Sequence, residues 1–222
     1  TEGNRILALG IPAGLQNAIF AVANLFIQSA VNSFDSVMVE GNSAAANADS
    51  VIYNVMAACY TACSTFMGQN WGAGKRDRVL KSYFIGLTYS FVIGAILGGA
   101  LLLFGREFLS LFANEEEVIE AGLQRTRIMG FSYAVSAFMD CTIAACRGIG
   151  KSLAPTIIVI MGSCVFRVAW IYTIFAYFHT IPSLYLLYIF SWTITAIAEI
   201  TCFIISYRKM IAQHDAYTPV SD

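Results

Sequence analysis

The 222-residue chain is 58% hydrophobic and only 12% charged, with a mean hydropathy of +0.67. Soluble domains carry about 25% charged residues to coat their cores, so this composition excludes an ordinary soluble domain. The formal net charge of −1 gives no footing for nucleic-acid binding, because the charges are gathered into short intervals between long apolar runs, the pattern of a polytopic membrane protein.

In chain order, Thr1–Asn4 is polar and shows no signal-peptide architecture; with no initial methionine, the chain reads as a piece of a longer protein. Six long helical segments follow, expected at residues 5–32, 44–71, 77–104, 116–147, 153–178 and 182–207. At 1.5 Å per residue each can cross a hydrocarbon core of about 30 Å. Pro12, one helical turn into the first segment, is expected to kink it. Pro155 and Pro182 sit near helix starts, where a missing N–H costs least. The fourth segment, about 45 Å long, exceeds the core. Its first turns, with Glu120, Arg125 and Arg127, are expected to project from the outer surface or line a wet opening.

Orientation follows from the turn Gly68–Lys81, GQNWGAGKRDRVLK, which carries Lys75, Arg76, Arg78 and Lys81. Placed in the cytoplasm, it puts nine basic residues inside: these four with Arg5, Arg147, Lys151, Arg208 and Lys209. The outside connections, 33–43, 105–115 and 179–181, hold only Arg106, together with Asp35, Glu40, Glu107 and Glu115–Glu117. That asymmetry obeys the positive-inside rule. Both ends of the chain then lie in the cytoplasm, which requires an even number of spans, and six is the expected count.

Two helices carry polar stripes. On the first, Asn17, Ala21, Asn24 and Gln28 fall on one face at 100° per residue. Amides in hydrocarbon need partners, so this face is expected to line a water-filled cavity. On the second, Ser50, Asn54, Ala57, Thr61, Ser64 and Gly68 share a face. Small, weakly polar residues let membrane helices approach closely, and packing is the expected role of that stripe, with Asn54 kept as a pathway candidate. Three ionisable residues lie deep: Asp140, Arg167 and Glu199. Such groups mark functional sites or pair with one another. Because side chains tilt toward the N-terminus of their helix, Arg167 leans toward the two acids, and the three are expected to form one charged cluster. The pathway candidates are therefore Asn17, Asn24, Gln28, Asn54, Asp140, Arg167 and Glu199.

Six cysteines, Cys59, Cys63, Cys141, Cys146, Cys164 and Cys202, all fall in apolar runs, where reduced cysteine acts as a small hydrophobe. No metal-ligand spacing appears, and no metal site or cofactor is expected. Neither His179 nor His214 lies within a span, so a buried nucleophile has no base. GIGKS at Gly148–Ser152 lacks the first glycine of a phosphate-binding loop, since Ala145 stands there. Enzymatic activity is not expected.

Several stretches together resemble one family. MGQNWGAGKRDR (Met67–Arg78), LGIPAGLQN (Leu9–Asn17), CRGIGKSLAP (Cys146–Pro155), FRVAWIY (166–172) and SWTITAIAE (191–199) are similar, in order, to the C-terminal half of the multidrug and toxic compound extrusion (MATE) transporters. That family has twelve helices in two six-helix lobes related by a pseudo-two-fold axis. The resemblance therefore implies an all-α, six-helix membrane bundle, one lobe without its N-terminal partner. It further implies export of small organic, often cationic, compounds against inward Na+ or H+, by rocking of the lobes, and an integral protein of the plasma (inner) membrane. Some members carry a carboxylate on the seventh helix about two turns after the proline; Gln16–Phe20 holds no acid. Their tenth-helix aspartate lies about one turn further from the Arg-Gly turn than Asp140. Neither cation-binding carboxylate carries over residue for residue, and coupling can reside in the N-terminal lobe. A lipid-linked oligosaccharide flippase of the same superfamily would want a more basic cavity, and only Arg167 reads as deep. A non-transporting membrane scaffold subunit would leave the first helix's polar stripe unexplained.

Overall fold

A computed structural model describes residues 2–215. The chain is all helical among these residues: α1 Glu2–Val31, α2 Ser36–Gly72, α3 Arg76–Leu103, the short α4 Gly105–Leu109, α5 Glu116–Met129, α6 Ser132–Gly148, α7 Leu153–Phe178 and α8 Ile181–Asp215. α1 from Ile6, α3, α7 and α8 are each long and apolar enough to cross a membrane, and α5 with α6 passes the same test as a bent pair. α2, at 37 residues, is about 55 Å long. Its many amides and hydroxyls leave it less apolar than α1, α3 and α8.

The helix ends follow local chemistry. Asp35 caps α2, its carboxylate accepting from the Met38 N–H at 2.8 Å, as an N-cap acid should. This cap starts α2 eight residues before the expected boundary, so most of the 33–43 connection is helix rather than loop. Gly74 (φ 71°) and Gly150 (φ 78°) take the left-handed conformation that closes the turns after α2 and α6.

The fourth segment is not one rod. It breaks at Gly130–Phe131 into α5 and α6, which meet at 55°. The Gly130 carbonyl lies against α3 at Gly98, where a Cβ on Gly98 would stand 2.3 Å from that oxygen. α1 runs unbroken through Pro12, and α8 continues past residue 207. α7 is a continuous helix with two wide π-type stretches, Ile160–Val165 and Ile171–Phe175, on either side of the turn that carries Arg167. Widened turns of this kind cluster at functional sites.

The bundle core is built chiefly by α2, α3, α6 and α8, with α1, α5 and α7 adding residues at its middle and at one end. Met56, Tyr133, Ala137, Val159 and Trp192 fill its middle. Cys63, Met67, Val79, Tyr83 and Phe203 fill the end near the Gly68–Lys81 turn, and Val31, Phe175, Leu184 and Tyr185 the opposite end. α1 lies at the periphery. Ile6, Leu7, Ile11, Leu15, Val22 and Leu25 are all exposed on it, consistent with a helix that faces lipid or a second body.

Candidate transport cavity

Two adjoining cavities of about 350 and 320 Å³ open between α1, α2, α5, α6, α7 and α8, and Phe20, Tyr60 and Asp140 stand in the walls of both. The first is completed by Gln16, Asn17, Thr61, Ser64 and Arg147. The second is walled by Tyr53, Tyr188, Trp192, Met129 and Met139, with Asn24, Asp49, Arg125 and Arg167 among them. Rings and thioethers supply adaptable apolar contact, while a few placed charges orient a ligand, the usual make-up of a small-molecule site.

Arg167, buried on α7, is held by aromatic faces. Its guanidinium carbon lies 4.6 Å from the Tyr188 ring centre, 5.6 Å from Phe20 and 5.7 Å from Trp192, and Nε donates to Ser191 Oγ at 3.2 Å. These are cation–π distances. Asp140 and Arg167 share a cavity wall, yet no ion pair within 4 Å joins Arg167 to either Asp140 or Glu199.

Glu199 is fully buried on α8, lines neither cavity, and neither carboxyl oxygen has a hydrogen-bond partner. Arg147 is the cation that acts electrostatically on Glu199, whereas both Arg147 and Arg167 act on Asp140. The expected single cluster is therefore not a directly paired one. Tyr188 and Trp192 of α8 and Phe20 of α1 cover the arginine instead.

The remaining candidates divide. Asn17 and Asn24 line the cavities, as their stripe implied. Gln28 lies beyond them and donates to Asn32 Oδ1 at 2.8 Å. Asn54 is exposed outside both cavities. The α2 stripe packs inside the bundle only at one end, where Ser64 and Gly68 lie close against Gly148 of α6; Ser50, Asn54 and Thr61 are exposed, and Thr61 and Ser64 reach a cavity wall. The packing face of α2 carries Met38, Gly41, Ala45, Ala48, Ile52 and Met56 instead.

The MatE family model matches residues 12–173. The chain belongs to the MATE family of membrane transporters. It is 31% identical over 132 residues to a probable multidrug resistance protein of Bacillus subtilis, YpnP, covering 60% of this chain and 30% of that protein. It is 22% identical over 173 residues to the probable multidrug resistance protein NorM of Thermotoga maritima, covering 78% and 37%. An outward-facing structure of a multidrug resistance MATE transporter superposes with a TM-score of 0.84 at 19% identity, over 93% of this chain and 47% of that one. The chain thus spans about a third of these curated relatives in the aligned regions, and about half of a solved MATE fold. Like that family, it is a transporter-type integral membrane protein and not an enzyme.

This MATE lobe also holds a buried polar network that the sequence reading left outside. Asp49 on α2 pairs with Arg125 on α5, and the Tyr133 hydroxyl donates to the same carboxylate. Arg125 Nη1 donates to the Asn42 carbonyl at 2.8 Å and to Asn42 Oδ1 at 3.1 Å, and the Tyr185 hydroxyl donates to Asn42 Oδ1 at 2.8 Å. The available signal was Asp49 itself, an unmatched acid inside a long helix. Arg147 Nη2 donates to Gln16 Oε1 at 2.8 Å and ties α6 to α1. Arg125, Arg147 and Arg167 all reach cavity walls, so the cavity is more basic than the expectation of one deep arginine allowed.

Proposed function

We propose that this chain is one lobe of a MATE-type antiporter that exports organic, often cationic, compounds in exchange for Na+ or H+, working with a second six-helix lobe. The observation that carries the reading is Asp140, a carboxylate in the wall of both cavities with no direct ion pair. A carboxylate held among rings and thioethers can accept a proton, a small cation or the charged end of an amphipathic ligand, but not two of these at once. That competition is what exchange transport requires. Six spans with both chain ends in the cytoplasm belong to the same reading, supported by the segregation of basic residues.

The test is export of a fluorescent organic cation from cells producing the complete transporter. Asp140→Asn should lower export by about tenfold or more, about 1.4 kcal/mol in the limiting barrier, at unchanged membrane abundance. Unaltered export at normal abundance would remove Asp140 from the mechanism.

A second reading has one observation in its favour. The three arginines in the cavity walls suit an anionic substrate such as a pyrophosphate-linked lipid. Asp49 neutralises Arg125, and Gln16 engages Arg147, which leaves Arg167 as the cation for such a group. Loss of anion transport in Arg167→Gln with cation export intact would select this reading.

A further inference from the structure

Three sulfurs meet away from the transport cavities, at the end of the bundle near the Gly68–Lys81 turn. Cys63 Sγ on α2 lies 3.8 Å from Cys141 Sγ on α6 and 3.8 Å from Met67 Sδ, one turn along α2. All three residues are buried and the cysteines are free thiols. Sulfurs sharing one metal at about 2.3 Å stand roughly 3.8–4.0 Å apart in tetrahedral or trigonal geometry, so both measured separations already match. Among the described residues, no three His, Cys, Asp or Glu side chains gather to hold a metal. Here the third donor is a thioether, which selects for a soft ion.

Gly86 on α3 packs directly on Cys63, where a Cβ would lie 2.7 Å from its Sγ, so the thiol is fixed at a close α2–α3 crossing. A groove of about 470 Å³ between α2 and α3 has Cys63, Cys59 and Gly86 in its walls, so of the three donors it is Cys63 that meets it.

We propose that Cys63, Cys141 and Met67 form a binding site for a soft monovalent cation of the copper(I) class. Each thiol that ligates the ion gives up its proton, so one or two protons leave as one Cu+ enters, and no electron is transferred. Hard cations such as Na+ find no oxygen cage among these donors, so the site is chemically separate from any coupling-ion site.

The test is anaerobic titration of the purified, reduced protein with Cu(I) against bicinchoninate, with X-ray absorption to count the sulfurs. The protein should take one Cu(I) from the chelator with three sulfur neighbours. Cys63→Ser and Cys141→Ser should each weaken binding by at least about tenfold, while Cys59→Ser and Cys202→Ser should not. Met67→Leu, which conserves volume and is expected to fold, should reduce the shell from three sulfurs to two. Failure to withdraw copper from the chelator, or an unchanged sulfur shell in Met67→Leu, would overturn the site.

Discussion

Asp49 and Arg125 show how this lobe accommodates charge. Their side chains are 11% and 8% exposed, so each would be an uncompensated buried charge without the other. Tyr133, Asn42 and Tyr185 occupy further hydrogen-bonding positions around them. Removing one partner of such a pair costs about 3–5 kcal/mol, whereas replacing both by neutral groups costs much less. Arg125→Met should therefore lower the melting temperature in detergent sharply, and Asp49→Asn with Arg125→Met should recover part of the loss. Equal melting temperatures for the single and double variants would mean that the pair contributes no coupling. Arg167 reaches stability differently, through three aromatic faces and one serine. Those contacts hold the charge on α7 without a direct ion pair.

At the scale of elements, close backbone contact sets the helix crossings. A Cβ on Gly41 would meet the Gly122 nitrogen at 2.6 Å and the Val118 oxygen at 2.7 Å, where α2 crosses α5. Gly98 and Gly99 offer an internal comparison on α3. The first faces the Gly130 carbonyl at 2.3 Å from an added Cβ, and the second has nothing within 4 Å. Backbone atoms cannot swing aside, so Gly98→Ala should destabilise by about 1–3 kcal/mol. Gly99→Ala should be neutral or stabilising by up to about 1 kcal/mol through helix propensity. Thermal unfolding of the two variants side by side reads the difference, and equal shifts would mean that the Gly98–Gly130 contact does not constrain the crossing. From the sequence, two neighbouring glycines in one helix are indistinguishable. Only the partner across the crossing separates them.

For the whole molecule, the segregation of basic residues predicts which end faces the cytoplasm. Asn114 precedes α5 and Arg78 lies in the first turn of α3, both exposed. Single cysteines at these positions, in a background without the six native ones, should react with a membrane-impermeant maleimide from opposite sides. Labelling of both from one side would overturn the six-span topology. The same scale explains the exposed apolar face of α1 and the exposed polar stripe of α2. The chain spans about half of a solved MATE fold, and on the proposed reading these two faces meet a second lobe or lipid.

Composition, hydrophobic run lengths and charge segregation are properties of the chain taken in order. They were enough to determine an all-helical membrane bundle, and the sequence motifs were enough to suggest its family. That Asn17 and Asn24 share a face was legible for the same reason, since residues on one helix keep a fixed angular relation whatever the helix packs against; the structure places both in cavity walls. Which charges meet is a property of helix neighbours, and periodicity does not encode it. Tertiary structure decided that Asp49 belongs to Arg125, that Arg167 lies among rings without a direct ion pair, and that Glu199 is buried apart from both cavities. It also decided the break at Gly130, whose carbonyl lies against Gly98 of α3, 32 residues away in the chain.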